Sequence, residues 1–255
     1  MSVPPSVARI RSLSSATQFA SSDRSSFSGA IHADNDRFCP ERIRIQAVHA
    51  HADYVSPYLN SRTKRMFDVI VAFSLLFLLL PLLLIVATLV RVTSRGPVLF
   101  KQSRTGADGV PFLVFKFRSM YAASCQERTV QQATRTDPRI TPLGRFIRRT
   151  SIDELPQLLN VLQGHMSLIG PRPHAMAHDA YYAAQIPHYT KRFAARPGLS
   201  GLAQVRGSRG ETPLTSDMER RISFDLDYIR TASFALDCRL MLATARETIF
   251  SSAAY

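Results

Sequence analysis

Asp153 and Glu154 are adjacent carboxylates in the stretch RRTSIDELPQLLN, residues 148–160, with Pro156 two residues after the pair. Two kinds of chemistry use acids in such a place. One is helix capping, because Ser151 and Glu154 have the S-x-x-E spacing of a capping box. The other is attack on phosphorus. Arg145, Arg148 and Arg149 lie just upstream, and helix N-termini draw anions through their free N–H groups, so the stretch has the makings of a phosphate site. Cations beside a carboxylate keep it ionised, and an ionised carboxylate can attack phosphorus to form an acyl phosphate. A hard cation such as Mg²⁺ binds through one or two carboxylates plus substrate oxygens and offsets the repulsion between carboxylate and diphosphate, so Asp153 and Glu154 are also candidate metal ligands.

Pro156 bears on both readings. With Ser151 as N-cap, the proline falls at the fifth helical position, where its missing N–H removes a hydrogen bond. A start nearer Asp153 places Pro156 in the first turn, where the missing N–H costs nothing. The expectation is Asp153 as an N-cap or first-turn residue, a position compatible with capping and with catalysis.

Other segments have a similar character. In MSLIGPRPH, residues 166–174, Arg172 is held between Pro171 and Pro173, which limits the backbone and pre-orients a guanidinium suited to bidentate phosphate contact. In PFLVFKFRSM, Lys116 and Arg118 alternate with Phe115 and Phe117, so a strand would put both cations on one face. In RPGLSGLAQVRG, residues 196–207, Pro197, Gly198 and Gly201 permit tight turning and close ligand approach. Asp225 and Asp227 in FDLDYIR are candidates for a metal or nucleotide site, with surface helix acids as the plainer reading.

These residues need a scaffold, and its outline is legible. Val69 to Val90 is a run of 22 uncharged residues, VIVAFSLLFLLLPLLLIVATLV, as long when helical as a bilayer's hydrocarbon core is thick. Basic residues flank it on both sides: Arg62, Lys64 and Arg65 before, Arg91 and Arg95 after. The positive-inside rule then assigns no direction to a simple span. Pro81, in the middle, deletes a backbone hydrogen bond and bends a helix. A segment that dips in and returns would leave both basic flanks on the cytoplasmic side; a straight, kinked span is the other geometry.

The formal net charge of +13 suggests an anionic partner such as phospholipid headgroups, a phosphorylated substrate or nucleic acid. Residues 61–150 hold 15 Lys and Arg against 4 acids, so the excess surrounds the apolar run. That run, and the lack of a nucleic-acid reading module, count against a nucleic-acid partner. Cys39, Cys125 and Cys238 form no CxxC or Cys/His cluster, which argues against a disulfide framework or structural zinc and fits a reducing compartment. The first 28 residues include 10 Ser and few large apolar side chains, and residues 1–60 are expected to be a largely disordered tail. Beyond it come a membrane segment over 61–95 and a catalytic region over 96–255. In that region PVLFKQ and PFLVFKFRSM flank GADG as a hairpin, residues 155–163 form a short amphipathic helix stopped by Gly164, and residues 217–231 and 234–250 are helical, the last either packed on the core or lying on the membrane.

From about Arg62 to Phe250 the chain resembles the bacterial sugar transferase family, the monotopic polyprenyl-phosphate hexose-1-phosphate transferases. The resemblance runs in order through KRMFD, GPVLFKQSRTG, FKFRSM, RRTSIDELPQLLNVLQGHMSLIGPRPH, RPGLSGLAQV and FDLDYI. It implies a mixed α/β, helix-rich monotopic protein of the bacterial inner membrane, with a re-entrant helix broken at Pro81, interfacial amphipathic helices and a cytoplasmic catalytic domain. The implied reaction moves a sugar-1-phosphate from a UDP-hexose to undecaprenyl phosphate with Mg²⁺, releasing UMP. Asp153 would be the nucleophile and Glu154 its partner, both near the metal. Arg148 would hold phosphate, and Arg172 with Pro173 would contact the nucleotide. Lys116, Arg118, Gln204 and Asp225 fall at further substrate-binding positions. Membrane lipid is a partner, nucleic acid is not, and a homodimer is compatible with the likeness. Two stretches depart from the common pattern. Leu80 stands where many relatives have a serine before the proline, and RPGLSG stands for KPG[IV]TG. The chain resembles the short members that begin exopolysaccharide repeat units, and HAMAHD after GPRP resembles the subset using UDP-glucose or UDP-galactose. The contrasting expectation is a membrane-anchored nucleotide-sugar-binding scaffold without turnover.

Overall fold

A computed structural model of the chain describes residues 55–121, 137–208, 210, 212 and 214–250. Most of the expected tail, together with Cys39 and Cys125, lies outside the described residues. Residues 55–60, assigned to the tail on composition, belong to the fold. Pro57–Asn60 is a 3₁₀ turn with Leu59 in the core, and the Ser56 hydroxyl donates to the Ala232 carbonyl at 2.7 Å. The apolar and aromatic side chains of VSPYL supply burial that the serine-rich stretch before them lacks.

Helix α1, Arg62–Thr93, carries the apolar run. Ser61 caps it, accepting from the Lys64 N–H at 3.1 Å. The chain stays helical through Pro81, so the proline removes one internal bond without ending the helix as a break would. Lys64, Asp68, Ala72, Val86 and Val90 are buried along one stripe at helical spacing, whereas Phe73, Phe77, Leu78, Leu84 and Ile85 are exposed. By length and composition α1 is able to cross a membrane.

Both ends of α1 are fastened to the rest of the fold. Near the start, Arg65 donates to the carbonyls of Val161 and Leu162 at 2.6 and 2.8 Å. Past the end, buried Arg118 donates to the carbonyls of Ser94 and Pro97 at 2.6 and 2.5 Å and, more weakly, to that of Val90. Cations satisfying the exposed carbonyls of a helix C-terminus are favoured by its dipole.

Strands β1, Leu99–Thr105, and β2, Pro111–Phe117, pair antiparallel, with Lys101 opposite Phe115. Helix α2, Pro142–Arg149, begins where the Thr141 hydroxyl accepts from the Gly144 N–H at 2.8 Å. A 3₁₀ turn, Ile152–Glu154, leads to α3, Gln157–Gln163. Gly164 ends α3 at φ 86°, a left-handed conformation that a residue with a Cβ adopts only at a cost.

Strand β3, Ser167–Ile169, lies parallel to β4, Gly198–Ser200. Their approach needs glycine, because a Cβ on Gly198 would stand 2.1 Å from the Gly170 nitrogen. Helix α4, Met176–Gln185, a 3₁₀ stretch Tyr189–Ala194 and the short α5, Leu202–Val205, precede α6, Thr215–Thr231, and α7, Phe234–Phe250. Helix α7 takes the first of its two expected positions, with Leu240 buried and Leu236 and Met241 packed against the core. That core gathers Phe112, Val114, Leu158, Val161, Ile169 and Tyr228, with Ala72 from α1. A second cluster joins Val86 and Val90 of α1 to Phe117 and Ile147.

Candidate active site

The acid pair occupies the 3₁₀ turn between α2 and α3. Ser151 precedes it at φ 60° and makes no side-chain cap hydrogen bond, so the capping box is not formed. Pro156 is the N-cap of α3, which leaves Asp153 one turn upstream of that helix rather than capping it. The turn tucks both acids inward, and each is 8% exposed.

The two carboxylates have different surroundings. Glu154 is fully engaged: Arg172 Nη1 donates to Oε2 at 3.1 Å, Arg172 Nη2 to Oε1 at 2.6 Å, and Lys116 Nζ to Oε1 at 2.7 Å. Burial opposes its ionisation, but Arg172 and then Lys116 more than offset that and hold it well below the usual carboxylate range. The Asp153 carboxylate makes no hydrogen bond or ion pair among the described residues. Burial first, and the Glu154 charge second, push its pKa up to about 6 against the pull of Lys116, Arg148 and Arg172. The sequence suggested that nearby cations would keep Asp153 ionised; burial works against them. At neutral pH it is still mostly ionised, and among the described residues no other side chain competes for its oxygens.

Lys116 reaches the pair from β2. Burial lowers its ammonium pKa, partly offset by Glu154. Its position is set by Asn160, which is 0% exposed. The Asn160 side-chain amide accepts from the Phe115 N–H at 3.0 Å and donates to the Leu113 carbonyl at 2.7 Å. Those are the two bonds a neighbouring strand would make, so one side chain of α3 binds β2 at a fixed register beside the dyad.

The other expected site residues divide. Arg148, half-buried, acts on Asp153, while Arg145 and Arg149 are exposed on α2. Arg172 and half-buried Pro173 stand beside the dyad. Arg118 is not brought there: β2 ends at Phe117, the strand alternation lapses, and the guanidinium serves the end of α1. Asp225 is 2% exposed and ion-paired to Arg192 at 2.8 Å, whereas Asp227 is exposed near Arg230. Gln204 donates through Nε2 to the Leu199 carbonyl at 3.1 Å, and its Oε1 is buried with no hydrogen-bond partner among the described residues.

Sequence reasoning missed Asn160, Arg192 and a buried knot at the start of α1. In that knot Lys64 Nζ donates to Asp237 Oδ2 at 2.6 Å and to Asp68 Oδ1 at 3.1 Å, and Asp68 accepts from the Ser167 hydroxyl and the Leu168 N–H. The i, i+4 spacing of Lys64 and Asp68 was visible; the partner in α7 was not.

Among the described residues no three His, Cys, Asp or Glu side chains gather as metal ligands. A pair of carboxylates still suits Mg²⁺, which takes most of its ligands from substrate phosphate and water. Asp153 has its oxygens available for such an ion; those of Glu154 are taken by Arg172 and Lys116.

Comparison with known proteins identifies the family. The family model described as "Bacterial sugar transferase" matches residues 59–251. The chain is 51% identical over 194 residues to the UDP-glucose:undecaprenyl-phosphate glucose-1-phosphate transferase of Caulobacter vibrioides, covering 75% of this chain and 72% of that one. It is 46% identical over 197 residues to the Escherichia coli protein of the same name, covering 77% of this chain and 42% of that longer one. It is 47% identical over 184 residues to the exopolysaccharide production protein PSS of Rhizobium leguminosarum, covering 71% and 92%.

Proposed function

The chain belongs to the bacterial sugar transferase family, and from that premise we propose that it transfers hexose-1-phosphate from a UDP-hexose to undecaprenyl phosphate and releases UMP. Glucose is the favoured hexose, since two of the relatives above are named for UDP-glucose; galactose is the second candidate donor. This is the first membrane step of exopolysaccharide synthesis, in keeping with the name of the Rhizobium relative.

The observation that carries the reading is the asymmetry of the dyad: Glu154 grips two cations, and Asp153 is buried, ionisable and, among the described residues, unengaged. In the first half-reaction an Asp153 oxygen attacks the sugar-bearing phosphorus. The bond from that phosphorus to the bridging oxygen breaks, UMP departs with the electron pair, and a sugar-phosphoryl aspartate remains. In the second, a phosphate oxygen of undecaprenyl phosphate attacks the same phosphorus. The aspartyl P–O bond breaks, restoring the carboxylate and yielding the lipid diphosphate sugar. No further co-reactant is consumed. Arg172, Lys116 and Arg148 supply positive charge where the transferred phosphoryl group carries negative charge. Mg²⁺ held by Asp153 would neutralise diphosphate oxygens and polarise the phosphorus.

Helix α1 supports a membrane seat for this chemistry. Its two ends are bonded to the same body, through Arg65 and Arg118, and its middle exposes apolar side chains. We read it as re-entrant in the inner membrane, with the site on the cytoplasmic face, where UDP-sugars are found and lipid phosphate lies at the interface. Purified protein in detergent with UDP-glucose, Mg²⁺ and undecaprenyl phosphate is expected to release UMP, and Asp153→Ala to release none. Nucleotide binding without UMP release from any common UDP-sugar would point to a scaffold instead.

A further inference from the structure

Arg192 is 2% exposed and lies in the 3₁₀ stretch before β4. Its guanidinium makes five hydrogen bonds to four partners. Nε and Nη2 reach Asp225 Oδ2 at 3.2 and 2.8 Å, Nη2 also reaches the Arg172 carbonyl at 2.5 Å, and Nη1 reaches His174 Nδ1 at 2.8 Å and the Tyr189 hydroxyl at 3.4 Å. The Tyr189 hydroxyl in turn donates to Asp179 Oδ1 at 2.7 Å. Two of these acceptors, the Arg172 carbonyl and the His174 ring, lie on either side of Pro173.

This matters because of the backbone it holds. In Pro171-Arg172-Pro173 both prolines lack an N–H, so carbonyl oxygens are the main handles by which the segment can be fixed. The Gly198 N–H holds the Pro171 carbonyl at 2.8 Å, and Arg192 holds the next one. From that fixed peptide the Arg172 side chain runs to Glu154. We propose that Arg192, clamped by Asp225, is a positioning residue that fixes the Arg172 backbone and so aims the Arg172 guanidinium into the dyad. It touches neither the substrate nor the dyad. A lysine cannot replace it, since an ammonium has three N–H groups and no planar fork to span Asp225, the Arg172 carbonyl and His174 together.

The inference deepens the transferase reading and rests on it for its kinetic consequences, so the test has a second arm that needs no turnover. Arg192→Lys and the isosteric Asp225→Asn are made in the full chain, each alone and with Arg172→Gln. In the kinetic arm each single variant is expected to lower kcat/KM for UDP-glucose by about 10- to 100-fold, the scale of an ångström's misplacement of a catalytic group. Added to Arg172→Gln, each is expected to cost little more, because a residue that acts through another is non-additive with it. In the thermodynamic arm, the pH midpoint of the Tm difference between each protein and its Asp153→Asn counterpart reports the Asp153 ionisation. Burial first, then the charges of Glu154, Lys116, Arg148 and Arg172, set that midpoint. Withdrawing Arg172 removes a cation from Asp153 and unmasks the Glu154 charge, so the midpoint is expected to rise in both variants, as it does in Arg172→Gln. A scaffold role limited to stability would lower Tm and leave the midpoint in place. An unmoved midpoint, or full additivity with Arg172→Gln, overturns the proposal. A wild-type chain that releases no UMP overturns the transferase reading alone, and the midpoint still decides the role of Arg192.

Discussion

Arg172 grips Glu154 through both carboxylate oxygens, at 3.1 and 2.6 Å, and Lys116 shares the closer of the two. The grip settles which acid has its oxygens to spare. It also ties both cations to the dyad.

Glu154→Gln removes the charge that gathers Lys116 and Arg172. It also removes a like charge beside Asp153, which then ionises more readily. The acidic limb of the UMP-release profile is expected to move below its wild-type position, with kcat reduced at all pH values. Loss of the partly buried pairs is expected to cost about 1–3 kcal/mol in urea unfolding. A limb that moves upward would contradict the charge arrangement.

The Asp153 carboxyl, pushed up to about 6 by burial and Glu154, links stability to pH. A raised acid pKa disfavours the folded state once the group is ionised. The associated stability is therefore full below the unfolded value near 4 and is lost as pH rises through about 6. Asp153→Asn is expected to be inactive yet more stable than wild type at pH 7.5, by up to ~2 kcal/mol. The advantage should shrink to nothing near pH 4, and differential scanning calorimetry across that range checks it. Activity of the wild type should fall as pH drops through about 6.

Asn160 binds the edge of β2 through both ends of its amide. Asn160→Ala leaves the Phe115 N–H and the Leu113 carbonyl without that partner and is expected to cost about 2–4 kcal/mol. Asn160→Asp keeps the shape and the acceptor but loses the donor beside Leu113. In both variants UMP release should fall more than the folded fraction does, because Lys116 follows the strand; circular dichroism and rate measured on the same samples separate the two.

The anchoring of both ends of α1 to one body predicts a topology. Single cysteines at positions 62 and 95, in a chain freed of its three native cysteines, should both react with an impermeant maleimide from the cytoplasmic side only. Labelling from opposite sides would establish a straight span.

A good deal of this was legible in the sequence, for a definite reason. The 22-residue apolar run, the hairpin around GADG, the Gly164 stop and the helix over 234–250 rest on local rules: length, periodicity and the conformational range of glycine and proline. The adjacency of Asp153 and Glu154 is covalent, so a candidate dyad was visible before any folding. Which acid is unengaged among the described residues was not. Glu154 is occupied because β2 and the Pro171–Pro173 turn bring Lys116 and Arg172 to it from 38 and 18 residues away. Tertiary structure alone also turned Arg118 toward the end of α1, gave Asp225 to Arg192 and placed Asn160 on the strand edge. Burial also raised the Asp153 pKa against those cations, because desolvation depends on what packs around a group and not on its neighbours in the chain.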